Sequence, residues 1–235
     1  MLIENAQCTD SNEANTQHRS VVYEDRAFTC PSTGTSHTRL NDGLLYVVAT
    51  YMHYDYTINK RVFQILLFKT DNPFDSSKWS IPIEIANPQG TIDPDLLWDN
   101  DNGTMYLASG WGSIYLAELN LETGSASTPA KIWSGSGGSN PEGPHFFRKD
   151  DYFYLLVAEG GIGPNHSETI ARSRDLSYGP YKSYKGNPIF TNRRMDEFFQ
   201  TVRYADFFPG CAGGVVGCCT CYAEGAGFAQ GANGP

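Results

Sequence analysis

Positive charge, helical periodicity and long apolar runs are all scarce in this sequence of 235 residues. Lysine and arginine number 17 against 26 aspartates and glutamates, for a formal net charge of −9. A chain so short of cations is a poor match for nucleic acid or an anionic membrane, which are bound through Lys and Arg. No apolar run approaches the ~18 residues of a membrane helix. Met1-Leu-Ile-Glu-Asn5 shows neither the basic region nor the apolar core of a signal peptide, and localisation stays open. Charged residues, at 18%, are too few for a coiled coil or helical bundle, and no helical period persists for ten residues.

What is present is aromatic and turn-forming. The chain carries 14 Tyr, 13 Phe, 24 Gly and 13 Pro, and its 13% aromatic content excludes disorder along most of its length. That profile reads as all-β. The six cysteines are uneven: Cys8 and Cys30 near the start, then Cys211, Cys218, Cys219 and Cys221 near the end. Zinc sites recruit separated Cys or His pairs, whereas this clump has no histidine beside it, so no metal and no cofactor is expected.

Residues 41–175 contain a weak repeat. Asn41-Asp-Gly leads into Leu44–Tyr51, Asp101-Asn-Gly into Thr104–Ser109, and Lys149-Asp-Asp into Tyr152–Ala158. Each turn supplies the Asp, Asn or Gly that a tight hairpin requires. Each following strand bears a tyrosine at the same point: Tyr46, Tyr106 and Tyr154. A further strand follows each time, over Val62–Lys69, Ser113–Leu119 and Glu168–Ser173. Small antiparallel sheets recurring every ~40–50 residues mark a β-propeller, with a β-sandwich as the alternative. Several strands are almost continuously apolar, as sheets covered on both faces would be.

Two carboxylates stand at the openings of repeats. Asp93 lies in Gly90-Thr-Ile-Asp-Pro-Asp-Leu-Leu-Trp98 and Glu142 in Gly138-Ser-Asn-Pro-Glu-Gly-Pro-His145. Inner strands of a propeller start near its central axis, so the two acids can meet across one pocket. Glycosidic cleavage needs such a pair, one acid protonating the leaving oxygen. Equally, each could be a turn carboxylate capping backbone amides, and spacing alone leaves both readings open.

At these segments the sequence resembles glycoside hydrolase family 43. The resemblance is carried by Thr91-Ile-Asp-Pro-Asp-Leu-Leu-Trp-Asp99, Asn140-Pro-Glu-Gly-Pro-His145, Tyr152–Gly161, Asn165-His166 with Thr169–Arg174, Gly186-Asn-Pro-Ile189, and Gln200–Val202 with Ala205-Asp206. It covers residues 40–207 and is nearest in pattern to β-xylosidases and α-L-arabinofuranosidases. It implies a five-bladed propeller that hydrolyses xylosides or arabinosides of plant cell-wall glycans with inversion. Glu142 then matches the general acid and Asp93 the residue that tunes and orients it. His166 matches a histidine of the sugar pocket, with a surface-loop residue as the alternative. Trp111 could stack on a sugar or simply pack. The implied partner is an oligosaccharide or polysaccharide.

The resemblance breaks at both ends. The family's water-activating aspartate, in an N-x-D-P segment, has no counterpart; Asp10 lacks the proline and the apolar strand. Cys30-Pro-Ser-Thr-Gly-Thr-Ser36 likewise does not match the usual Trp-Ala-Pro opening. A family Gly-His-Ala-Asp segment reads Arg203-Tyr-Ala-Asp206 here, and beyond it a Trp-Trp-Gly-Val-Ala strand is replaced by Gly- and Cys-rich sequence. Val215–Ala223 can be encoded so that a one-base shift yields Trp-Trp-Gly-Val-Ala-Leu-Ala-Thr. The last 27 residues hold 8 Gly, 5 Ala and 4 Cys with no Lys or Arg, as an out-of-frame tail could.

The expected organisation is therefore an atypical leader over 1–39, a partial propeller over 40–208 and a disordered tail over 209–235. The propeller is expected to be incomplete, its first blade missing or replaced and its general base absent. Impaired hydrolysis is the expectation, with a non-catalytic carbohydrate-binding propeller as the alternative.

Overall fold

The computed structural model describes residues 21–23, 26–28, 37–41, 43–87, 89–99, 104–161, 163–177, 179–196, 199–209 and 215–223. Asp10, Cys8, Cys30 and Cys211 lie outside these residues. Strands β1 (Val21–Tyr23) and β2 (Arg26–Phe28) form a short hairpin within the leader. Three four-stranded antiparallel sheets follow, each a simple meander. The first joins β3 (His37–Asn41), β4 (Leu44–Asp55), β5 (Lys60–Thr70) and β6 (Ile83–Ile85). The second joins β7 (Ile92–Asp99), β8 (Thr104–Gly110), β9 (Ile114–Glu118) and β10 (Ala130–Trp133). The third joins β11 (Glu142–Lys149), β12 (Tyr152–Glu159), β13 (Ser167–Ser173) and β14 (Lys182–Ser183). A last pair, β15 (Phe199–Pro209) and β16 (Val215–Ala223), is antiparallel.

The sequence repeat corresponds to these sheets. Tyr46, Tyr106 and Tyr154 fall in β4, β8 and β12, the second strand of each blade. Two boundaries differ from expectation. The first blade already starts at His37, inside the segment read as leader. Val215–Ala223, read as disordered, pairs along β15 from Phe199↔Ala223 to Pro209↔Val215; that backbone register needs no family-like side chains.

The apolar strands are explained by burial on two sides. One core cluster joins Tyr46, Val48, Ile65 and Leu67 of the first blade to Leu96, Leu107 and Leu119 at the second. Another joins Ala108, Ile114 and Leu116 of the second to Phe146, Leu155 and Val157 of the third. Adjacent residues Leu107 and Ala108 therefore point to opposite blades, as the period of two along a strand dictates. Burying one such Leu or Val contributes about 1.5–3 kcal/mol. The blades are held face to face by these layers, and their inner strands are fixed relative to one another.

Candidate active site

The inner strands β7 and β11 share one irregularity. In β7, Ile92 pairs with Gly110 but Asp95 with Ala108, so one extra residue is inserted. In β11, Glu142 pairs with Ala158 but His145 with Leu156, giving the same insertion. Each is a β-bulge, which bends the strand and re-aims side chains. The residue before proline is left-handed in both: Asp93 at φ 55° and Gly143 at φ 58°. Strand β15 shifts register twice between Gln200 and Asp206, with Tyr204 at φ 49°. Asp93-Pro-Asp, Gly143-Pro-His and Tyr204-Ala-Asp are thus three versions of one backbone device.

These bulges also tie neighbouring blades together through the residue two places on. Asp95 Oδ2 accepts from the Phe146 amide at 3.0 Å, while its Oδ1 accepts from the Leu96 amide at 2.8 Å. His145 Nδ1 lies 3.6 Å from Asp206 Oδ1 of β15. The Asp93 amide in turn donates to Thr50 Oγ1 of β4 at 3.1 Å. Sequence reasoning missed these ties, although the repeated x-Pro/Ala-Asp/His spacing is their signal.

The bulges bring the two predicted acids together. Asp93 is fully buried and Glu142 only 7% exposed. The Tyr204 hydroxyl stands 3.3 Å from Asp93 Oδ2 and 3.4 Å from Glu142 Oε1, so both carboxylates converge on one phenol. His166 is fully buried, which is not the setting of a surface-loop residue. Its Nε2 lies 3.9 Å from Glu142 Oε1, and its ring tilts against Tyr204 with centroids 5.9 Å apart. The pinched loop that delivers it requires Gly160, at φ 110°, where a Cβ would lie 2.1 Å from Asn165 O.

Trp111 occupies the rim. It bridges Glu142 backbone to backbone, is 52% exposed, and meets Phe63 edge to face with centroids 5.5 Å apart. An exposed indole beside a buried acid can offer its open face to a sugar ring. Behind the acids, Glu159 is structural: its carboxylate accepts from the Ser136 and Gly138 amides at 2.6 and 2.7 Å and from Thr169 Oγ1 at 2.8 Å. Glu168 is completely buried beside the Tyr204 and Ala205 amides. Loss of water pushes its carboxyl well above the usual range, with nearby Glu159 and Asp206 adding to the effect and the two amides opposing it.

Antiparallel four-stranded blades with a pair of acids at their inner-strand bulges define a β-propeller with an acid-lined axis. The family model for glycosyl hydrolases family 43 matches residues 39–232, and the chain belongs to that family. The chain is 37% identical over 172 residues to the non-reducing end α-L-arabinofuranosidase BoGH43B of Bacteroides ovatus, covering 72% of this chain and 30% of that protein. It is 35% identical over 125 residues to a xylan 1,3-β-xylosidase of a Vibrio species, covering 49% of this chain and 23% of that one. Among solved structures, BlXynB of Bacillus licheniformis superposes with TM-score 0.72 and 31% identity, over 82% of this chain and 38% of that one. The chain thus spans between 23% and 38% of the length of these relatives, and its fold is the five-bladed family 43 propeller in part.

Proposed function

We propose that the chain carries the acid half of a glycosidase site for xylosides or arabinosides of plant cell-wall glycans. The observation that carries this reading is the convergence of Asp93 and Glu142 on the single Tyr204 hydroxyl. In it, Glu142 is the general acid that protonates the departing sugar oxygen. Asp93 is the buried neighbour whose charge tunes that proton. His166 lines the sugar subsite and Trp111 offers a stacking face at its rim. Cleavage follows the inverting course, with water displacing the leaving group in one step.

Hydrolysis by this chain is weak in this reading, because no N-x-D-P segment supplies the water-activating aspartate and loss of a general base costs typically 10²–10⁴-fold. That same missing motif favours a second reading, a propeller that binds carbohydrate without turnover. Incubation with aryl β-xyloside and aryl α-arabinofuranoside, alongside xylo-oligosaccharide binding, separates the two. Turnover abolished by Glu142→Ala supports the glycosidase; binding without turnover supports the second reading; neither result overturns both. We further propose, from the codon pattern and composition of the tail, that residues from about 209 onward are read out of frame. The family match running to residue 232 weighs against it. An uninterrupted, correctly spliced genomic reading frame through that segment would reject this.

A further inference from the structure

The contact between Tyr204 and the two acids imposes a rule on their protons. A phenol has one O–H to donate and lone pairs with which to accept. Tyr204 Oη faces Asp93 Oδ2 at 3.3 Å and Glu142 Oε1 at 3.4 Å. It can donate to only one of two ionised carboxylates. The other would then present its charge to the phenol's lone pairs, beside a fully buried Asp93 and a nearly buried Glu142. With a single proton on the pair, both contacts are satisfied at once: the neutral carboxyl donates to Oη, and Oη–H donates to the ionised carboxylate.

We propose that Tyr204 is a positioning residue that holds Asp93 and Glu142 in the singly protonated state, so that the pair carries the proton a general acid must deliver. The ring is placed for this. Gly143 leaves it room, since a Cβ there would lie 2.5 and 2.6 Å from Tyr204 Cε1 and Cδ1. His166 packs against it. Tyr204 sits at φ 49° where β15 shifts register between Arg203 and Asp206. When the acid surrenders its proton to a leaving oxygen, both carboxylates are ionised and the phenol O–H remains donated to one of them. No proton crosses Tyr204, and the phenol is unchanged at the end. The inference rests on the pairing of Asp93 and Glu142 proposed above, but not on turnover.

The titratable groups that face this point are Asp93 from β7, Glu142 from β11 and His166 from the loop before β13. Glu168 lies behind Tyr204 from β13, and the His145–Asp206 pair flanks it from β11 and β15. The test must therefore resolve individual carboxyls. Full-length chain labelled with ¹³C at Asp and Glu carboxyls is titrated by NMR, the signals being assigned with Asp93→Asn and Glu142→Gln. The pair should titrate in two steps held apart by the phenol, and Tyr204→Phe should bring them closer by about one pH unit, a tenfold change. In the Glu142→Gln background, where coupling between the acids is removed, Tyr204→Phe should raise the Asp93 midpoint by a similar amount.

An unchanged separation in folded Tyr204→Phe overturns the proposal. If that variant does not fold, 3,5-difluorotyrosine at position 204, a stronger donor of the same shape, is used with Glu142→Gln. The Asp93 midpoint should then fall, and a fixed midpoint overturns the proposal. Hydrolysis of an aryl xyloside, followed in parallel, reports on the glycosidase reading alone. A silent chain whose two steps still converge in Tyr204→Phe retains the tyrosine's role and loses the hydrolytic one.

Discussion

The bulge in the second blade and the bulge in the third have the same backbone but deploy their acids differently. In the second, the acid Asp93 itself occupies the left-handed position before proline. In the third that position is Gly143, and the acid Glu142 stands one residue earlier in the extended part of the strand. The difference follows from what each position tolerates. Left-handed backbone admits glycine freely, and short polar Asp or Asn with modest strain. A long side chain there is disfavoured, so the longer carboxylate comes from the position with ordinary geometry. Glu142 then reaches inward over a residue with no side chain, and the vacated volume is filled by Tyr204.

The largest effect should come from making the third bulge resemble the second. Gly143→Asp adds a Cβ where φ is 58° and where it would lie 2.5 Å from the Tyr204 ring. Tyrosine cannot retreat far, because His166 packs on it. Strain of about 1–3 kcal/mol joins the overpacking cost of typically 1–3 kcal/mol. Urea unfolding should register a loss near the sum of those ranges, and a loss below about 1 kcal/mol would show that the bulges differ less than their geometry states.

The third version of the device, at Tyr204, breaks the rule about short side chains and is backed by Glu168. Burial holds that carboxyl well above its ordinary 4.5, so it is neutral when folded at pH values where the unfolded chain ionises it. Its contribution to stability is therefore complete below the unfolded value and is lost as pH rises toward the folded one. The slope is at most about 1.4 kcal/mol per pH unit. Glu168→Gln keeps the shape and removes the ionisation. Its melting temperature should match the parent near pH 4 and exceed it increasingly from pH 5 upward. Equal pH dependence in the two proteins would mean that Glu168 stays charged inside.

Ties between blades should rank next. Asp95→Ala strips acceptors from two buried amides, Leu96 and Phe146, at a cost of about 1–3 kcal/mol. Asp206→Ala should cost less, because it strips the acceptor from one half-buried amide, Phe207, and its contact with His145 is longer and partly exposed to water. Equal losses in urea unfolding would remove the distinction between a tie made to backbone and one made to a side chain.

Much of this molecule was legible in residue order. Tandem apolar stretches such as Leu44–Ala49 and Phe153–Ala158 announce sheets covered on both faces, and the structure buries them between blades. Asp93 and Glu142 were legible because proline and glycine beside them mark an interrupted strand. The position of Tyr204 between them was not. Its segment departs from the family pattern, and nothing in Arg203-Tyr-Ala-Asp206 says that β15 is bulged there. That information lives in the register against β16 and in the absence of a side chain 61 positions earlier, at Gly143. Likewise the buried state of His166 depends on how tightly the loop from Gly160 closes, which no local spacing encodes.

The finest distinction concerns why the second blade uses aspartate. If the left-handed backbone selects the side chain, then Asp93→Asn should be nearly neutral for stability, since asparagine tolerates the same conformation and keeps the volume. Asp93→Glu retains the charge but adds a methylene at a fully buried site and gives up that tolerance, so it should cost about 1–3 kcal/mol. The order is informative because charge and backbone make opposite demands. Were charge the dominant stabilising feature, through the Tyr204 hydroxyl, the glutamate variant would be the better tolerated. Urea unfolding of the two variants at pH 7 decides between them. Asparagine above glutamate means that the left-handed backbone of the bulge, and not the carboxylate charge, selects the short side chain at position 93.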